Sequence, residues 1–159
     1  MTILFGYPST YTVPVSYNVI VCQNLSCQKS GILNEIRVYS LATGYVKAGL
    51  YSNNSGSPDT RLTVNNTGVS CAADQWNSII VPDISVVEGT NYFLAVLGDS
   101  NNVISRNAYS SVAKTKAGIY STGLPDPAGS SYSNSSYQYG ILGYGISFGG
   151  TGLLLVGGI

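Results

Sequence analysis

Histidine is absent from this chain of 159 residues, and charge of either sign is scarce. Without an imidazole, the usual activation of a Ser or Cys nucleophile has no base. Neither a His ligand nor a C-x-x-C pair is present to hold zinc. Charged residues make up 9%, against roughly 25% in ordinary globular proteins. The seven Lys/Arg are scattered, so no basic stripe exists to displace counterions from nucleic acid and no polybasic run to attract anionic lipid. Carboxylates are equally few. Asp59, Asp74, Asp83, Asp99 and Asp126 all sit in turn-like surroundings, where Asp bonds its own backbone more often than it does chemistry. Glu35 shares a strand face with Arg37 and reads as its solvent side. That leaves no pair of carboxylates placed for glycoside hydrolysis, and no Gly-rich phosphate cradle opens a helix. No enzyme is expected, and no cofactor. Also missing is the Ala/Glu/Lys/Leu mixture of helical proteins.

Ser, Thr, Asn, Gly and 13 Tyr supply the polarity instead, beside 44% hydrophobic residues. These residues suit strands and turns. Short apolar runs alternate with turn signals: 17–27, 32–39, 45–51, 61–64 and 69–72 around an Asn-Asn-Thr-Gly turn, 76–81 ending at Pro82, 91–97, 103–106, 116–120, 137–148 and 153–156. Spacings of about ten residues between turns predict an all-β antiparallel sandwich of about 8–11 short strands. Residues 121–136 form a long Pro/Gly/Ser loop, but strands follow it, so residues 1–159 read as a single domain. The N-terminus has no Lys or Arg before its first apolar residues, and Pro8 and Pro14 interrupt it, unlike a secretory signal. The uncharged stretch from Ile141 to Ile159 is long enough to span a membrane but alternates like a strand and is rich in Gly, so no span is expected.

Within this pattern, GILNEIRVY, TGYVKAGLYSNNSGSP and QWNSIIVPDISVVEGTNYFLAV, between residues 31 and 97, resemble a family of jelly-roll modules. These modules are similar to carbohydrate-binding domains and recur in secreted bacterial and archaeal surface proteins and in phage structural proteins. The resemblance implies two sheets in jelly-roll order, and either a surface or a structural role.

Several residues are candidates for contact. Tyr132, Tyr137, Tyr139 and Tyr144 cluster among Ser, Asn and Gly at 129–145, the chemistry of binding loops. Contact with another subunit ranks first for them, an ordinary strand second and a glycan third. Trp76 opens a strand and reads as a core or sheet-edge Trp ahead of a sugar platform. Asp99 and Asn101 are weak calcium candidates, one carboxylate being thin for a cation that wants six to eight oxygens. Cys22 and Cys27 lie five apart and point to opposite strand faces, whereas a Cys27–Cys71 bridge stands as an alternative to three buried thiols. The apolar ends, Ile3, Leu4 and Phe5 near the start and Leu153, Leu154 and Leu155 near the finish, either pair with each other or add to the sheet edge of a neighbouring subunit.

The expected function is a non-enzymatic structural protein of a virion surface, such as a capsid decoration or fibre component, or of an extracellular filament. It would act with copies of itself or other structural subunits. A carbohydrate-binding or adhesion module is the alternative.

Overall fold

The computed structural model describes residues 1–9 and 11–149, the side chains of 109–112 excepted, and every regular element within that range is a β-strand. In chain order these are β1 (Thr2–Phe5), β2 (Val13–Pro14), β3 (Val19–Ser26), β4 (Gly31–Ser40), β5 (Gly44–Asn54), β6 (Ser57–Cys71), β7 (Gln75–Val86), β8 (Asn91–Gly98), β9 (Ser105–Ala117), β10 (Ser133–Tyr139) and β11 (Ile141–Ser147). They build two antiparallel sheets, a small one in the order β1-β11-β4-β7 and a large one in the order β10-β9-β3-β8-β5-β6 with β2 alongside β9. No helix long and apolar enough to cross a membrane occurs among the described residues.

Alternation places the core. On β4, Leu33, Ile36 and Val38 face inward and meet Val46, Ala48, Leu50, Leu94 and Val96 of the large sheet in one inter-sheet cluster. β8 does not alternate, because both of its faces are covered. Tyr92, Leu94 and Val96 enter the inter-sheet core, while Phe93, Ala95 and Leu97 join Ile20, Cys22 and Tyr51 in a second cluster on the outer side. That second cluster is roofed by the segment 118–132, whose Leu124 and Ala128 are also fully buried. The long Pro/Gly/Ser loop is therefore a strap laid over the large sheet. Polar side chains fasten it. Lys47 Nζ donates to the Tyr120 carbonyl at 2.6 Å and Arg61 Nη1 to the Leu124 carbonyl at 2.6 Å. Tyr51 Oη donates to the Pro125 carbonyl at 2.5 Å. Asn66 clasps Leu124, accepting from its N–H and donating to its carbonyl.

Four segments differ from the sequence expectation. In one, the runs 103–106 and 116–120 are the two ends of a single strand, β9, and its flanks. The runs 61–64 and 69–72 are parts of one strand, β6, because β5 pairs with both, Ala48 opposite Asn65 and Val46 opposite Val69. Residues 66–68 bulge out between them and present Asn66 to the strap, so the Asn-Asn-Thr-Gly signal marks a bulge instead of a reversal. β7 continues past Pro82, since register is lost between Ile80 and Ile84 and the proline sits where no ladder bond is required of it. The run 137–148 breaks at Gly140, where the chain leaves the large sheet as β10 and enters the small one as β11. A Cβ at Gly140 would press on Ser105, Tyr39 and Tyr11, so close packing at this crossing favours glycine.

The strand expected at residues 2–5 forms as β1, pairing with β11 through Thr2–Gly145 and Ile3–Tyr144. Leu4 and Phe5 are fully buried in the inter-sheet core. The N-terminal apolar strand is thus used inside its own sandwich, and the Leu4 carbonyl accepts from the Gln28 N–H. Leu153, Leu154 and Leu155 lie outside the described residues.

Cys22, Cys27 and Cys71 are buried and free. Cys22 belongs to the outer cluster and Cys27 to the inter-sheet one, as their spacing requires. The Cys27–Cys71 bridge does not form. Cys27 bonds to Thr90 beside the start of β8, whereas Cys71 pairs with Gly44, near the end of β8 where Gly98 opposes Val46. About seven residues of β8 separate these levels, roughly 20 Å of strand, far beyond the reach of a disulfide.

Candidate functional site

The four candidate tyrosines do not form one surface, because the crossing at Gly140 and the strap send them to different places. Tyr132 ends the strap and packs against the outer cluster, its hydroxyl donating to the Ala128 carbonyl at 3.3 Å and its ring facing Lys116 Nζ at 5.2 Å. Tyr139 is buried in the inter-sheet core, and Tyr137 packs at the margin of that core. Tyr144 stands on the outer face of the small sheet. Asp99 and Asn101 are employed as loop tethers. Asp99 Oδ1 accepts from the Tyr45 N–H at 2.8 Å and Asn101 Oδ1 from the Tyr17 N–H at 3.1 Å. No group of three or more acidic, Cys or His residues gathers around them or elsewhere among the described residues.

Two surfaces remain with the character of sites. The first is the outer face of the small sheet. Whereas the large sheet wears a strap, register alone assigns this face the row Ile80–Glu35–Tyr144–Ile3 across all four strands, with Ile32 and Ile146 on one side and Ser78, Arg37 and Leu142 on the other. Ile80 and Ile146 are 61% and 59% exposed. In the middle sits Glu35, only 2% exposed on what reads in the sequence as a solvent side. Its carboxylate accepts from Arg37 Nε and from Ser78 Oγ, the latter at 2.6 Å. Arg37 in turn covers the Tyr144 ring, 4.0 Å from its centre. Burial pushes the Glu35 carboxyl up, but the two hydrogen bonds and the Arg37 charge outweigh it and hold the group below its ordinary value. At the far end of the face, Tyr39 and Trp76 pair across β4 and β7 in a T-shaped contact at 5.6 Å, and Tyr11 closes on Trp76 edge-on at 6.0 Å. Trp76 is half-buried, a sheet-edge Trp. Aromatic rings, an Arg and exposed Ile around an ion pair whose carboxylate is buried make up the composition of interface centres.

The edges bordering this face are guarded. Thr63 Oγ1 and Asn65 Nδ2 of β6 donate to the Pro82 and Ile80 carbonyls of β7, and Gln28 bonds to β1. Side chains and a loop thus take the part that charge plays on other edge strands.

The second surface is a groove of about 680 Å³ between the β2–β3 connection and β10, floored by β9. Val15, Val19, Tyr137 and Arg106 line it together with Ser16, Asn134, Ser135 and Ser136. Arg106 stacks on Tyr137, its Cζ 3.8 Å from the ring centre. Its Nε is buried with no hydrogen-bond partner, and among the described residues it makes no ion pair. Arg106 is not singled out by any motif. The signal that could have found it is the run from Ser100 to Pro125, which carries three cations and no Asp or Glu in a chain whose charges otherwise balance.

No protein-family model, no curated protein and no solved structure matches this chain.

Proposed function

We propose that the chain is a non-catalytic assembly subunit of jelly-roll type, working at a virion surface or in an extracellular filament and docking on copies of itself or other structural subunits. The observation that carries this reading is the contrast between the two sheets. One outer face is closed by the chain's own strap, while the other leaves Ile80, Ile146 and the Arg37–Tyr144 stack uncovered by any described segment. Zero net charge supports it further, since little electrostatic repulsion opposes association. With β1 consumed within the sandwich and its edge guarded, a face-to-face contact replaces the addition of the N-terminal strand to a neighbour.

The test is sedimentation velocity with negative-stain microscopy on the whole chain and on the double variant Ile80→Lys/Ile146→Lys. Wild type should assemble into discrete oligomers or fibres as concentration rises. The variant should stay monomeric with an unchanged melting temperature, because both positions point away from the core. Wild-type protein that remains monomeric throughout speaks against the reading, as does a double variant that assembles normally.

A second reading, a carbohydrate-binding or adhesion module, is favoured by the groove at Arg106, whose volume lies in the range of small-ligand sites.

A further inference from the structure

We infer that the Arg106 groove takes an acidic saccharide, a sugar chain carrying a carboxylate, with Arg106 as the anion-binding group; this rests on the second reading above. Among the described residues, the charge of Arg106 is unpaired. A guanidinium drawn partly out of water normally meets a carboxylate, as Arg37 meets Glu35 and Arg61 approaches Asp126 at 3.6 Å. Arg106 meets a ring instead. Stacking on Tyr137 holds the planar group flat, and with Nε buried the two Nη groups are left to donate, an end-on geometry that suits a planar oxyanion bound by two N–H groups.

Nothing in the framing segments can neutralise it. Residues 13–19, 105–117 and 133–139 contain no Asp or Glu. Lys114 Nζ donates to Asn134 Oδ1 at 2.6 Å and orients that amide. A ligand bearing a negative charge would therefore complete the site, whereas a neutral one would leave the guanidinium as it stands.

The remaining lining selects the class. Ser16, Thr115, Asn134, Ser135 and Ser136 offer hydroxyl and amide groups, and Val15 and Val19 offer small apolar contacts. Alternating polar and apolar patches of this kind fit a sugar ring, which presents hydroxyls at its rim and C–H groups on its faces. Tyr139 keeps the polar side in place, its hydroxyl within 2.9 Å of Ser135 Oγ and its N–H donating to Gln23 Oε1 at 3.0 Å. One arginine is too little for a nucleic-acid backbone, which is bound by many phosphate contacts.

Isothermal titration of the full chain with trigalacturonate, galactotriose and sodium glucuronate tests this. Trigalacturonate should bind, weakening as salt is raised. Galactotriose should bind at least tenfold more weakly. Arg106→Gln should lose the preference while its melting temperature and circular dichroism stay those of wild type, and Asn134→Ala should weaken trigalacturonate severalfold as an independent check on the groove. Equal binding of galactotriose and trigalacturonate overturns the inference and leaves the glycan reading standing. Equal binding of the monomeric glucuronate shows that a single acidic sugar suffices and overturns the inference that a sugar chain is read. Binding of none of the three overturns the inference and the second reading together.

Discussion

Arg37 lies flat over Tyr144, 4.0 Å from the ring centre, while its Nε is bonded to Glu35. The two residues belong to adjacent strands of the small sheet, and the carboxylate beneath them is nearly dry. Because the Glu35 carboxyl is held below its ordinary value in the folded chain, the unfolded chain takes up the proton first as pH falls. The stability contributed by Glu35 is thus fully present above pH 4.5, the ordinary value, and is lost as pH drops through the folded value. Glu35→Gln should melt below wild type at neutral pH, and the gap should shrink on acidification. Melting curves of the pair from pH 7 to pH 3 check this; a gap that widens in acid contradicts it.

Phe5 and Leu4 are fully buried, and the Phe5 ring meets Tyr92 edge-on at 5.6 Å. Phe5→Ala should cost about 3–5 kcal/mol in denaturant unfolding. Deleting residues 1–6 should destabilise the sandwich, since β11 would lose one of its two neighbours and the core two large side chains. A truncated chain as stable as wild type would show that β1 is dispensable to the fold.

The three thiols should be silent in the native protein. Burial raises all three, Cys22 up to about 12, so almost no thiolate is available. Ellman's reagent should titrate none under native conditions and all three after unfolding. A reducing agent should leave the melting temperature unchanged, because no bridge joins Cys27 to Cys71.

The strap should come loose before the sandwich does. Tyr51 is fully buried and its hydroxyl reaches the Pro125 carbonyl, so Tyr51→Phe leaves that carbonyl unsatisfied at a cost of about 1–3 kcal/mol. Hydrogen exchange in this variant should accelerate at residues 118–132 and remain slow in β8. Uniform acceleration would mean that strap and sandwich unfold as one unit.

Sequence period alone located the strands β3, β4, β5 and β8, because alternation and apolar runs are written residue by residue. It mistook the bulge at 66–68 for a turn and Pro82 for a strand end, since both signals are local while strand continuity depends on the partner across the ladder. Of the candidate site, the residue types were legible and their grouping was not. Tyr132, Tyr137, Tyr139 and Tyr144 are neighbours in the chain, yet one glycine and one strap distribute them over the two sheets.

By itself, the sequence determined the fold class and the poverty of acid–base chemistry, because strand period, turn residues and the lack of imidazole are properties of composition and spacing. Only the tertiary structure decided which face of which sheet stays open, that Glu35 is buried, and that Arg106 rests on Tyr137 with no counter-charge among the described residues. Those facts depend on segments distant in the chain arriving at one place, and burial and electrostatics are set by such neighbours and not by sequence order.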